Sequence, residues 1–303
     1  MDIDVQECLK RGVVGALGAI PGTASAHPFD VIKIRMQTTQ CRLGPAVRHI
    51  AQSSISQGAP LAQKGHIAPF YKGLSSALQQ RVLTCGPMFL FSELFTQAAE
   101  QGLGLARGDA LFVGSAGSGY CTGAVASIAE YRKVLISQGV RGMAAGAVGA
   151  PYGPGRPWTY GAILSHAPGR GVHLFKRMNG AGTRNAIFDS VFFGSQHLLQ
   201  NRYGFTPAAS YAAAAGTAVA VDYSVDMALK RIMVVAPSEC VPGLLTTIRG
   251  FFAGQEHGLL RSLQLVHRGL SAKVIEFSVN YGVMGFTSVY TYAALRRITG
   301  GER

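Results

Sequence analysis

Six stretches of the chain are apolar or small over long runs, at about residues 8–36, 73–98, 110–138, 178–200, 207–234 and 270–296. Most run to about 23 residues or more, enough at ~1.5 Å per residue to cross a ~30 Å hydrocarbon core with some tilt. Several are weak as hydropathy peaks because charges lie within them. A segment in lipid must satisfy its own backbone, so these stretches are predicted to be helices. Their charges are then expected to face a protein interior or a wet cavity. The connections alternate in length: 38–72, 139–176 and 235–268 are long, whereas 99–109 and 201–206 are short. Within the long ones, Pro157–Ser165 and Leu244–Phe252 are expected to be short helices lying along one face.

The pattern repeats. His27-Pro28-Phe29-Asp30-Val31-Ile32-Lys33-Ile34-Arg35-Met36-Gln37 ends the first apolar stretch. Ser127-Ile128-Ala129-Glu130-Tyr131-Arg132-Lys133 ends the third, and Tyr223-Ser224-Val225-Asp226-Met227-Ala228-Leu229-Lys230-Arg231 the fifth. Each places an acid after small, apolar residues and a base three or four positions later. A second signature follows each: Tyr71-Lys72-Gly73-Leu74-Ser75, Phe175-Lys176-Arg177 and His267-Arg268-Gly269-Leu270-Ser271. The chain therefore reads as one domain, residues 1–303, built from three repeats of about 8–99, 108–202 and 207–298.

Composition narrows the class. Only 14% of residues are charged, mean hydropathy is +0.21 and 39 residues are glycine, against a usual charged share of about 25%. Such a chain suits helices packed closely in lipid better than a large soluble enzyme. Pairs such as Gly15/Ala19 and Ser115/Gly119 are placed to let helices cross closely. The net charge of +13 comes without a basic cluster interleaved with aromatics, so anionic lipid or an anionic solute is expected and nucleic acid is not. The long connections hold 11 Lys and Arg and the short ones only Arg107 and Arg202. All three long connections should thus share one face, with both termini on the other. The acidic start MDIDVQECLK resembles neither a transit peptide nor a secretory signal. The five cysteines and eight histidines show no metal spacing, and no Walker loop, GxSxG or HExxH occurs. No enzyme activity, metal or cofactor is expected.

Pro28-x-Asp30-x-x-Lys33-x-Arg35-x-Gln37, with Tyr71-Lys72-Gly73 after it, resembles the signature of the mitochondrial carrier family. The resemblance extends from about residue 8 to 297. It implies an all-α membrane protein of six transmembrane helices in three hairpin repeats with pseudo-threefold symmetry, multi-pass in the mitochondrial inner membrane. It also implies alternating access. Asp30/Lys33, Glu130/Lys133 and Asp226/Lys230 would form a ring of ion pairs closing the matrix end of a cavity, and Pro28 would kink its helix inward. Lys72, Gly73, Arg268 and Gly269 would hold cardiolipin phosphates, the one bound lipid expected. Counting from the second signature, the substrate contacts would be Gln80 with Arg81, Arg184 with Asn185, and Glu276. Asp189, Asp222 and Lys273 are further charges that line the cavity or pair locally.

Departures from the family pattern matter. Ile128 and Ser224 replace the proline, and Leu229 stands where a base belongs. Lys230, one residue late, should point away from the ring and leave Glu130 without its partner, with Asp30 on Lys133 and Asp226 on Lys33. At the opposite end Phe91-Ser92-Glu93 keeps an acid but has Thr96 for the base, and Ser195-Gln196 and Tyr290-Thr291 lack the acid. Two functions remain open. One is exchange of a small metabolite, with Arg184-Asn185 leaning to a carboxylate or keto acid and Glu276 adding room for an amino acid. The other is a carrier-fold subunit of a larger inner-membrane complex.

Overall fold

The computed structural model describes residues 3–39, 42–52, 68–71, 73–137, 170–234, 242–252 and 270–298. Its long helices are α1 (Val5–Thr39), α3 (Leu74–Leu103), α4 (Arg107–Ser137), α5 (Arg170–Asn201), α6 (Pro207–Val234) and α8 (Leu270–Ile298). Two short helices, α2 (Leu43–Gln52) and α7 (Leu244–Phe252), and a 3-10 turn at Ala68–Tyr71 complete the described structure. No strand occurs among the described residues.

The long helices pack in a closed ring, α1 to α3, α4, α5, α6, α8 and back to α1. Small residues make this closeness possible. A Cβ on Gly15 would lie 2.9 Å from the Cys85 carbonyl of α3, and one on Gly119 only 2.4 Å from the Asn185 carbonyl of α5. Both positions lie in the small-residue pairs singled out from the sequence. The surface helix α7 matches its predicted span. Its Leu244 and Ile248 pack against the cluster of Tyr223, Met227 and Ala228 on α6. The other predicted surface helix, Pro157–Ser165, lies outside the described residues. Helix α2 was not foreseen, although Ala46, Val47 and Ile50 show helical spacing and pack beside Val31, Ile32 and Met36 of α1.

Helix α5 begins eight residues before the apolar run that marked it, at Arg170. The helix carries its charges with it: Arg177 is buried and its guanidinium stacks 4.3 Å from the Tyr131 ring centre.

No described helix is long and apolar enough to cross a membrane. The six predicted spans are therefore matched in number and place but not in apolarity. Length is not the deficit, since the long helices have 28 to 35 residues. Buried charges and many small polar residues dilute each run. Many apolar side chains face outward: Leu9, Val13, Leu17 and Ile20 on α1, Phe112, Val113 and Val125 on α4, and Phe286 and Val289 on α8 are all exposed. Asp30, Lys33, Glu130, Asp222, Asp226, Lys273 and Glu276 are buried. The bundle is polar at its centre and apolar on its rim.

Candidate functional site

Every long helix sends a charged side chain into one layer. From α1 comes Lys33, from α3 Arg81, from α4 Glu130, from α5 Arg184, from α6 Asp222, Asp226 and Lys230, and from α8 Lys273 and Glu276. The acid–base motifs of α1, α4 and α6 meet charged side chains of α3, α5 and α8 here, so positions that recur in the sequence share one structural level. All five expected substrate contacts, Gln80, Arg81, Arg184, Asn185 and Glu276, line one small cavity of about 50 Å³ together with Lys33, Glu130, Asp226 and Lys230.

The pairing differs from the expected ring. Lys33 binds Asp30 of its own helix at 2.8 Å and Glu276 of α8 at 2.5 Å, not Asp226. Arg184 binds Glu130 at 2.5 Å and Asp226 at 3.3 Å. Lys273 spans Asp222 at 3.0 Å and Asp226 at 3.3 Å. Arg81 reaches Glu276 at 3.8 Å while its guanidinium lies 4.9 Å from the Phe277 ring centre. Lys230 does not point away: its ammonium sits on Glu130. The one-residue displacement moves its Cα by about 100° around the helix, but four methylenes are long enough to bring the charge back. Glu130, expected to lack its usual partner, is held by both Arg184 and Lys230. The side chain of Lys133 lies outside what is described, as do Lys72, Arg268 and Gly269 altogether. Arg184 does not pair with Glu276, because Lys33 and Arg81 hold that carboxylate.

A floor of rings lies over this layer. Phe188, Phe192, Phe193 and Tyr281 are buried together with Met88, Phe89 and Met284. The Phe192 and Tyr281 centres are 4.7 Å apart, and Phe89 meets Phe193 edge-on at 5.2 Å. Sequence reasoning did not single out these aromatics, which read simply as core at helical spacing.

Beyond the floor, toward the termini, a cavity of about 570 Å³ opens. Arg11, Glu93, Arg107, Gln196, His197, Tyr211, Tyr292 and Arg296 are among its lining residues. Glu93 has lost the base expected at Thr96 but not its charge partners: Arg107 binds it at 2.8 Å and Arg11 at 3.0 Å. Arg107 also holds Glu100 at 3.0 Å, and the Tyr292 hydroxyl donates to Glu7 at 3.0 Å. Both bases stand in the first turns of their helices. In the sequence Arg107 counts as a loop charge and nothing singles out Arg11.

Pro28 lies inside α1, as does Pro21. Gly73 sits just before α3 with φ 86°, a conformation that glycine adopts without strain, and no side chain caps that helix start. No group of ligands able to hold a metal occurs among the described residues. No curated protein matches the chain. Residues 4–101, covering α1 through most of α3, match the family described as mitochondrial carrier protein, a family of transporters and not of enzymes. Over these residues the chain is similar to mitochondrial carrier proteins.

Proposed function

We propose that the chain is a solute carrier of the mitochondrial inner membrane that works by alternating access, with the three repeats forming a single six-helix domain. The observation that carries this reading is the charged layer: six helices each bring charge to one buried level that closes an open cavity. Buried ion pairs are poor stabilisers compared with apolar packing, so their convergence points to a use. An apolar rim around a polar centre suits a bundle in lipid, and explains why hydropathy alone does not detect the spans. The ion pairs act as the gate of the closed end, which faces the matrix if the basic long connections stay there. Gly73, with Lys72 and the equivalent Arg268-Gly269, is the proposed cardiolipin contact, where an uncapped helix start offers free N–H groups.

For cargo to bind, Arg184 must exchange its internal carboxylates for one on the solute. The guanidinium already makes a fork to the Asn185 amide oxygen, at 2.5 and 2.9 Å, and an incoming carboxylate would be held by the same planar donor set. A small carboxylate, keto acid or amino acid fits this chemistry. The test is uptake by liposomes holding the purified protein, against a panel of keto acids, amino acids and nucleotides. Exchange of a carboxylate-bearing solute is the expected result, and its absence from the whole panel would sink the reading.

One observation favours the second function. Arg184 and Glu276 are paired inside the protein and neither lines the large cavity. A carrier-fold subunit of a larger inner-membrane complex would need nothing more. Purification only within such a complex, with a stable interface above roughly 1,000 Å² and no exchange by the isolated protein, would establish that alternative.

A further inference from the structure

The charged layer leaves one acid over. Among the described side chains five bases (Lys33, Arg81, Arg184, Lys230, Lys273) meet five acids (Asp30, Glu130, Asp222, Asp226, Glu276), and each acid has at least one ion pair. Asp189 of α5 has none. It is only 1% exposed, lines the same small cavity, and its Oδ2 meets no hydrogen-bond donor. Room for it is made by Gly119 of α4, where a Cβ would stand 2.7 Å from that oxygen. The groups that face it are Arg184 on its own helix, Arg81 and Cys85 on α3, Asp222 on α6 and Tyr281 on α8. Both guanidiniums stay beyond ion-pair distance because other carboxylates hold them.

A buried carboxylate without a donor is costly, and cores seldom keep one without a use. The space beside it, about 50 Å³, admits a few waters or an ammonium group and not a whole metabolite. We propose that Asp189 receives the ammonium group of the transported solute while Arg184 takes its carboxylate, so that the cargo is an amino acid and not the corresponding keto acid. This narrows the carrier reading above and rests on it. Glu276, the acid that the sequence suggested for this task, is already satisfied by Lys33 and Arg81.

Matched solutes test the proposal. Thermal unfolding of the purified protein is measured with alanine against pyruvate, glutamate against 2-oxoglutarate, and with lysine, for wild type, Asp189→Asn and Asp189→Glu. In wild type at least one amino acid should raise the unfolding temperature at a concentration about tenfold or more below that needed by its keto partner. Asp189→Asn, an isostere that removes the unpaired charge, should fold and lose that preference, and Asp189→Glu should restore part of it. Stabilisation by keto acids alone, an amino-acid preference unchanged in Asp189→Asn, or no response to any of these solutes would overturn the proposal. So would binding that responds only to pH, which would assign Asp189 to a proton. Uptake by liposomes is read separately, so a protein that binds amino acids through Asp189 but moves nothing would refute transport and leave this site standing.

Discussion

The two ends of the bundle are held in different ways. At the end nearer the long connections, all six long helices contribute charge, acids pair with bases, and only about 50 Å³ of space remains. At the terminal end the ion pairs join α1, α3 and α4, with Tyr292 of α8 added through Glu7. There α5 and α6 meet through neutral contacts such as Gln200 to Ser210. That end stands open, with about 570 Å³ inside it. The contrast teaches that a ring closes only where charge comes from every side. A latch that holds one side of the ring leaves a wedge between the unlatched helices and their neighbours.

Breaking the closed end should have the largest effect. Arg184→Ala removes one base from Glu130, which keeps Lys230, and one from Asp226, which keeps Lys273. Cutting a buried ion pair in this way costs roughly 3–5 kcal/mol. Uptake should be abolished and the unfolding temperature should fall clearly. The sequence alone suggested that this change would spare the fold. The geometry shows why it should not, since Arg184 joins α5 to both α4 and α6. An unfolding temperature equal to that of wild type would mean that this end is not held as described.

Much of this arrangement was legible because repetition amplifies weak signals. Asp30, Glu130 and Asp226 were placed at one level from their shared position in the repeat, and the bundle buries all three. Helix α6 was delimited at both ends by its run of alanines. Pairing was less legible, because partners depend on how far flexible stems reach and on which acid is nearer. Lys33 chose Glu276, and Lys230 recovered a partner that its position in the helix seemed to deny it. The Arg11–Glu93–Arg107 latch was missed because no local pattern ties residues 11, 93 and 107. Their meeting follows only from the order of the ring.

The coupling within the closed end can be measured. Lys230→Met alone should cost about 1 kcal/mol, because Arg184 still compensates Glu130. Combined with Arg184→Ala it should cost more than the sum, by about 0.5–3 kcal/mol, as expected for residues sharing one partner. Strict additivity in chemical unfolding would show that the two bases do not share Glu130.

The open end should respond less. Glu93→Gln removes the carboxylate charge that Arg11 and Arg107 share, but these bases keep Glu7 and Glu100 and are 42% and 39% exposed. Discounted for solvent screening, the loss should be about 1–2 kcal/mol. The charged layer should be untouched, so the effects of Glu93→Gln and Arg184→Ala should add. If they do not, the two ends are coupled through the aromatic floor between them.

The smallest change tests whether the latch matters to the transport cycle. Tyr292→Phe removes one hydroxyl, which donates to both carboxylate oxygens of Glu7 at 3.0 Å. Glu7 keeps Arg11 at 3.1 Å, so the loss in stability should be about 0.5–1 kcal/mol. A carrier must close this end when the charged layer opens, and Tyr292 ties α8 to the α1–α3–α4 latch through Glu7. The variant should therefore slow exchange by more than its stability loss predicts. The comparison is between the ratio of wild-type to variant uptake rates and the shift in the unfolding midpoint. A rate loss no larger than the stability change would mean that α8 closes through other contacts. The open end would then be a wide mouth whose latch only fastens α1, α3 and α4 to one another.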